Sequence, residues 1–341
     1  MRTASVGVCG GVALSALLLA GCDPGVSASA GLGAAPLRLA IYYGYPSLVN
    51  GARGDLARAV AQFADYDVLV LGDGLEFDAD AAGYAGRAEH AFTRTLIARL
   101  RLMPRQPAVF GYIDLGRTQH LSMAAIVDRI ERWARMGAEG VLLDEAGYDF
   151  GVTRERQNAA VEAAHLRGLR VCLNAFRPED VFDDVRTPLN TVGGGNPLGL
   201  PPAITERDAV LLESFAVGGG VAEPSAALAA RVEAALVGRR RFGTQVFGVA
   251  TGDESMAAPR ATYGWWMAAF FGLDAYGWAA PDYSAPTSEM VVVSRPAAET
   301  TLRRASYLGA PDLRQIPWQR LTSAGALTID PTRALGAFTL Q

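Results

Sequence analysis

The sequence predicts a (β/α)8 barrel, the TIM barrel, over residues 37–285, followed by a small β-rich extension over residues 286–341. Eight short apolar segments alternate with helix-like segments over roughly 240 residues, and such barrels typically need about 250. The segments are continuously apolar, as expected of parallel strands that are buried on both faces. Several end in acidic, amide or aromatic residues, and the active sites of such barrels lie at the carboxyl ends of the strands.

The first four predicted strands each precede a helix-like segment. The helix at residues 123–136 carries Ile126, Ile130 and Trp133 on one face at the helical spacing. The predicted strands are residues 39–43, 68–71, 108–114 and 140–145, and the predicted helices are residues 55–64, 93–101, 123–136 and 158–167.

The second half continues this order, except that a passage rich in Gly and Pro stands between its first two strands. A doubly wound open sheet is the alternative fold, but the first strand lacks the Gly-rich phosphate turn of that class. The predicted strands are residues 169–174, 209–213, 243–250 and 275–278, the helices are residues 226–237 and 263–271, and β-like segments of the extension are residues 290–293 and 337–340.

The N-terminus has the features of an export signal. Arg2 precedes a short apolar run at residues 6–19, which is too short to span a bilayer comfortably. The run ends in Leu19-Ala20-Gly21-Cys22, which resembles the bacterial lipobox and implies cleavage before Cys22 and acylation of its thiol. We therefore interpret residues 1–21 as a lipoprotein signal peptide and residues 22–36 as a flexible tether. The prediction is a protein anchored by lipid to a bacterial membrane, on its periplasmic or cell-surface side; the alternative is an ordinary secretory signal with a chance cysteine.

Composition argues against several other classes of function. The net charge is −4, and Lys and Arg form no dense run apart from residues 239–241, so no nucleic-acid partner is expected. His90, His120 and His165 have no partners at metal-ligand spacing, so we expect no metal. The sequence has no Gly-x-Ser-x-Gly elbow and no Walker loop, and no cofactor is expected.

Two carboxylates form the predicted catalytic pair. Asp144 ends the fourth strand and Glu213 ends the sixth, so we expect them to face each other across the mouth of the barrel. Glycoside hydrolysis uses two carboxyl groups that flank the scissile bond. Because adjacent side chains of a strand point to opposite faces, Asp144 and Glu145 cannot both point inward. Glu145 is expected beside the substrate, paired with a neighbour or starting the loop.

Further strand-end residues suit a sugar ligand. Amide and carboxylate groups can bind hydroxyls, and aromatic faces can stack on sugar rings. Each residue also has a structural alternative, since a strand-end Asp often caps the next helix and Tyr often fills a core. The predicted binding residues are Tyr43, Tyr112, Asp114, Asn174 and Trp278.

Three motifs resemble the spherulation-specific family 4 proteins. They are Tyr42-Tyr43-Gly44-Tyr45-Pro46, Phe110-Gly111-Tyr112-Ile113-Asp114-Leu115-Gly116 and Gly140-Val141-Leu142-Leu143-Asp144-Glu145. More distantly, the barrel is similar to glycoside hydrolase family 114, the endo-α-1,4-polygalactosaminidases. The resemblance spans residues 39–278 and implies that Asp144 and Glu213 are the catalytic pair.

Two functional hypotheses follow. The first is a membrane-anchored glycoside hydrolase that cleaves an α-linked polysaccharide, with galactosamine-containing chains as one candidate. The second is a non-catalytic carbohydrate-binding or envelope-scaffold lipoprotein on the same barrel, because fold alone does not determine function. Turnover of a polysaccharide or oligosaccharide separates the two.

Overall fold

The computed structural model describes residues 33–78, 87–186 and 194–341. Within these ranges eight parallel strands form a closed barrel, which confirms the predicted (β/α)8 fold. The predicted signal peptide, Cys22 and most of the predicted tether lie outside the described residues. The barrel strands, in order around the ring, are β1 (Leu37–Tyr42), β2 (Val68–Leu71), β3 (Ala108–Asp114), β4 (Gly140–Asp144), β5 (Arg170–Asn174), β6 (Ala209–Leu212), β9 (Gln245–Thr251) and β10 (Ala275–Ala279).

Helices connect most of the strands and begin and end at recognisable caps. The Ser122 hydroxyl accepts the N–H of Ala125 at the start of the helix Met123–Met136, and Gly137 ends that helix with φ of 89°. The helices are α1 (Leu56–Phe63), α2 (Arg87–Leu100), α3 (Met123–Met136), α4 (Arg154–Leu166), α5 (Glu179–Phe182), α6 (Ser225–Phe242), α7 (Glu254–Phe271) and α8 (Glu299–Leu302), with 3₁₀ turns at Pro46–Gly51 and Tyr148–Phe150.

The predicted strands agree with the observed ones to within two residues at each end, whereas several helices are longer than predicted. Helix α7 is the clearest case, because the prediction began at residue 263. Pro259 lies inside this helix and removes one intrahelical hydrogen bond. Packing of α7 against β10 and the C-terminal extension offsets that loss.

Side chains alternate between two apolar layers along each strand. Leu142, Cys172 and Leu211 point into the barrel, whereas Leu143 and Leu173 pack outward against the helices. Trp133 of α3 is fully buried in the outer layer. This alternation determines which strand-end residues face the mouth of the barrel.

The C-terminal extension is a three-stranded antiparallel sheet, β11 (Trp318–Thr322), β12 (Gly325–Asp330) and β13 (Leu335–Leu340). It packs on α7, where Gly336 lies against Trp266 because no Cβ intervenes. Residues 337–340 lie in β13, but residues 290–293 form no regular element, contrary to the prediction. A hairpin, β7 (Val217–Gly218) and β8 (Val221–Ala222), lies between β6 and α6. No helix within the described residues is long and apolar enough to cross a membrane.

Candidate active site

Three polar residues meet where β4, β5 and β6 end. Asp144 and Asn174 are the last residues of β4 and β5, and Glu213 directly follows β6. Each lies two residues after an inward-facing side chain, so the alternation of the strands directs it into the mouth of the barrel.

One amide group joins the two carboxylates. The Asn174 Nδ2 donates to Asp144 Oδ1 at 2.7 Å and to Glu213 Oε2 at 2.9 Å. Because one nitrogen makes both bonds, the two accepting oxygens are separated by at most about 5.6 Å, the sum of these distances. The sequence predicts these three residues at the carboxyl ends of the barrel strands, and the structure places them in one hydrogen-bonded cluster.

Two tyrosine side chains lie beside the Asp144 and Glu213 carboxyl groups. Tyr283 donates to Glu213 Oε1 at 2.6 Å, and the Tyr112 side chain lies near the Asp144 carboxylate. The Tyr43 ring packs between the Tyr112 and Tyr283 rings, with centroids 5.2 and 5.0 Å away. Sequence analysis did not identify Tyr283, which lies in the loop after β10. Its only signal was a tyrosine shortly after the end of the eighth strand.

The environment of Asp144 favours its protonated form. Burial raises the pKa of the Asp144 carboxyl to about 6, and the charge of Glu213 acts in the same direction. Hydrogen bonds from Asn174, Tyr112 and the Glu145 backbone oppose this increase without cancelling it. Asp144 is therefore able to hold or release a proton near neutral pH.

The backbone adopts the left-handed conformation at non-glycine residues next to the pair. Glu145 follows Asp144 with φ of 52°, Ser214 follows Glu213 with φ of 53°, and Tyr283 itself has φ of 52°. Such residues cost free energy and concentrate at functional sites. Three of the eleven non-glycine residues with positive φ in the described chain are therefore next to or in contact with the two carboxylates.

Glu145 lies beside the pair but serves the neighbouring loop. One of its carboxylate oxygens accepts the backbone N–H groups of Arg117 and Thr118, each at 3.0 Å, and the Thr118 hydroxyl donates to the other. Glu145 still lines the cleft described below, with its carboxylate engaged in positioning the loop after β3.

Two predicted binding residues lie away from the open mouth. Asp114 has no exposed surface, and its Oδ2 accepts the Gln119 N–H at 3.1 Å. Burial and the charge of Glu145 raise the pKa of the Asp114 carboxyl. Trp278 packs in the outer layer against Gly252, because the alternation of β10 sends Ala275 and Ala279 inward instead. This position differs from the expected stacking of Trp278 on a sugar ring.

A cleft of about 540 Å³ opens above Asp144 and Glu213, which we call the acid pair. Its walls include apolar side chains that sequence analysis did not select, although Phe176 follows Asn174 by only two residues. Phe176 is 70% exposed, so its ring is available to a ligand. Arg231 of α6 donates to the Glu213 carbonyl oxygen and forms an ion pair with Glu223 at 2.6 Å. The cleft is lined by Asp144, Glu145, Phe150, Asn174, Phe176, Glu213, Ser214, Gly218, Val221, Ala222, Glu223, Pro224 and Arg231.

Within the described part of the chain, no group of three or more His, Cys, Asp or Glu side chains is arranged to bind a metal ion. Cys172 is a free, buried thiol in the barrel interior. Burial raises the pKa of this thiol, which suits a core residue more than a nucleophile.

The sequence matches no protein-family model and no curated protein sequence. Among solved structures, the chain is similar to type I 3-dehydroquinate dehydratase from Clostridium difficile, with 10% identity, a TM-score of 0.42, and coverage of 80% of this chain and 92% of that chain. Deoxyribose phosphate aldolase from Aeropyrum pernix has 12% identity and a TM-score of 0.41, covering 72% of this chain and 85% of that chain. The 3-dehydroquinate dehydratase from Geobacillus kaustophilus has 14% identity and a TM-score of 0.40, covering 72% of this chain and 82% of that chain. At such low identity these likenesses concern the barrel fold alone.

Proposed function

We propose that the protein is an exported, lipid-anchored glycoside hydrolase that cleaves an α-linked polysaccharide with Asp144 and Glu213. The observation that carries the proposal is the shared Asn174 amide, which holds two carboxylates at one barrel mouth. In retaining glycosidases the carboxyl groups are about 5–5.5 Å apart, and in inverting enzymes about 6.5–9.5 Å apart. The limit of about 5.6 Å between the bridged oxygens favours the retaining arrangement.

The environments of the two carboxyl groups suggest their roles. Asp144, with its raised pKa, is the acid, and Glu213 is the nucleophile. In the first step Asp144 gives its proton to the glycosidic oxygen while a Glu213 oxygen bonds to the anomeric carbon and the glycosidic C–O bond breaks. In the second step Asp144 takes a proton from water, the water oxygen bonds to the anomeric carbon, and the ester to Glu213 breaks.

Charge and shape of the cleft support a cationic sugar chain as substrate. Four carboxyl groups and one guanidinium line it, a formal charge of −2 when Asp144 holds its proton and of −3 when it does not. This charge favours amino sugars with free ammonium groups, and galactosamine-containing chains are the first candidates. The exposed Phe150 and Phe176 rings offer apolar faces for sugar rings.

The test is release of reducing ends from a panel of bacterial and fungal exopolysaccharides that includes galactosaminogalactan. Glu213→Gln removes the nucleophile with almost no change in shape, and we expect no release from this variant. Glu155→Gln, the same change at an exposed position of α4, is the matched control and should retain full activity.

The outcomes separate the two functional hypotheses. The hydrolase is supported if the wild-type protein and Glu155→Gln release reducing ends and Glu213→Gln does not. Tight binding of a polysaccharide with no release by the wild-type protein instead supports a carbohydrate-binding lipoprotein. Release that persists in Glu213→Gln removes Glu213 from the mechanism.

Lipid anchoring is tested separately from catalysis. The Leu19-Ala20-Gly21-Cys22 motif supports acylation of Cys22. We expect the wild-type protein in the membrane fraction and in a detergent phase, with an acylated N-terminal peptide by mass spectrometry. Cys22→Ala should lose the acylated peptide, and an unmodified Cys22 in the wild-type protein contradicts the anchor.

A further inference from the structure

A second cavity lies at the opposite end of the barrel from the acid pair. It has a volume of about 330 Å³ and lies where α2, α3 and α4 end and where β4, β5 and β6 begin. Four guanidinium groups and one carboxylate line it, which gives the lining a formal charge of +3. These charged residues are Arg101, Arg167, Arg170, Arg207 and Glu139.

Most of the guanidinium donors in this cavity have no carboxylate partner. The guanidinium of Arg101 makes no hydrogen bond or ion pair with the described residues, and of the four only Arg167 pairs with a carboxylate, that of Glu131. Arg170 donates to the Arg207 carbonyl oxygen at 2.6 Å, and Arg207 donates to that of Gly168 at 3.1 Å. Since a guanidinium carries five N–H donors, each of these side chains keeps donors for a ligand.

Capping of helix ends explains only part of this charge. The carboxyl ends of α2, α3 and α4 lie at the cavity, and each is equivalent to about half a negative charge. Together the three helix ends amount to about 1.5 negative charges, whereas the charged side chains of the lining sum to +3. The Gly168 carbonyl oxygen uses one donor of Arg207, so a positive excess remains after the helix ends are satisfied.

The geometry points to a binding site for a phosphate group in this arginine-lined cavity. Planar guanidinium groups bind phosphate oxygens through paired, charge-assisted hydrogen bonds, and several arginines together bind a doubly charged group. The phosphate is either free in solution or part of an anionic phospholipid headgroup.

The path of the chain favours the headgroup. Residues 33–36 lead into β1 at this same end of the barrel, where the Leu37 N–H bonds to the Asp274 carbonyl oxygen ahead of β10. Ten residues lie between Cys22 and Gly33, and a tether of that length would span about 17 Å on average. This part of the inference rests on the proposed lipid anchor, and it implies that the catalytic cleft opens away from the membrane.

Two experimental arms test the site on the full mature chain. In the first, inorganic phosphate is titrated calorimetrically against chloride at equal ionic strength. In the second, the lipidated protein is bound to phosphatidylcholine vesicles with and without phosphatidylglycerol, and phenylglyoxal modification of Arg101 and Arg207 is mapped by mass spectrometry. Both arms are repeated with Arg101→Gln/Arg207→Gln and with the control Arg58→Gln/Arg94→Gln, which removes equal charge from exposed helical positions elsewhere.

We expect the cavity variant to weaken phosphate binding by about tenfold or more, a factor that corresponds to 1.4 kcal/mol, and the control to leave it unchanged. Binding of phosphate without protection on phosphatidylglycerol indicates a soluble ligand, and protection on phosphatidylglycerol alone indicates the headgroup. Neither signal, or an equal loss in the control, overturns the site. If the protein stays on neither kind of vesicle, the lipid anchor is absent. The phosphate titration still shows in that case whether the cavity binds phosphate.

Discussion

Two aspartates at opposite ends of the barrel show how one residue type serves folding or chemistry. Asp208, ahead of β6, is fully buried and accepts the N–H groups of Val171 and Thr205 at 2.9 and 2.7 Å. The Thr205 hydroxyl and His165 Nε2 complete its set of partners. Asp144 instead lies next to a second carboxylate with which it shares one amide donor. A buried carboxylate stabilises the fold when its lone pairs are matched, and a like-charged neighbour makes it reactive at a cost in stability.

The largest expected effect is on turnover. Asp144→Asn keeps the shape of the side chain but cannot transfer a proton, so we expect kcat to fall by about 10²–10⁴-fold, the range for loss of a general acid–base group. Initial rates on the substrate found in the screen measure this. Asp208→Asn is the comparison variant, and its kcat per folded molecule should equal that of the wild type. Similar losses in both variants contradict the assignment of chemistry to one end.

The same Asp144→Asn variant should be more stable than the wild type. The folded pKa of Asp144 is raised from 3.8 to about 6, so the native state binds its proton more tightly than the unfolded chain does. The resulting destabilisation is absent below about pH 4, grows as pH rises through about 4 to 6, and is complete above that. Its size is up to about 3 kcal/mol at pH 7.5, since each pKa unit corresponds to about 1.4 kcal/mol.

Urea unfolding at pH 4 and pH 7.5 measures this difference. The gain in the free energy of unfolding should be present at pH 7.5 and nearly absent at pH 4. A variant that is no more stable than the wild type at pH 7.5 would show that the acid pair carries no folding cost.

Asp208→Asn should lower the free energy of unfolding by about 1–3 kcal/mol, the cost of leaving buried hydrogen-bonding groups unmatched. The amide has one accepting oxygen, and its NH2 group would face N–H donors from β5 and from the turn before β6. Urea midpoints at neutral pH measure the loss, and Glu155→Gln is the surface control. An unchanged midpoint would mean that this end tolerates mismatched donors.

Strand periodicity explains what the sequence could predict. Continuous apolar runs locate the strands, and counting in steps of two from their interior positions selects Asp144, Asn174 and Glu213. The same count would have directed Trp278 outward, since Ala275 and Ala279 are the inward residues of β10. Asp114 faces inward by the count but is covered by the loop after β3, whose course depends on Glu145. Loops have no periodicity, so the sequence pattern does not place Tyr283, which lies in the loop after β10. Its contact with Glu213 is seen only in the folded barrel, where that loop reaches the end of β6.

The smallest expected effect tests this loop contribution. Tyr283→Phe removes one donor to Glu213 Oε1 and keeps the ring that packs on Tyr43, so the site should stay folded. We expect kcat/KM to fall by about tenfold, since a hydrogen bond to a charged group contributes about 1.5–3 kcal/mol. Tyr263→Phe, a buried tyrosine of α7 in the outer layer, is the matched control and should leave kcat/KM unchanged. An unchanged kcat/KM in Tyr283→Phe would assign Tyr283 to packing alone and leave the carboxylate pair to act without its hydroxyl.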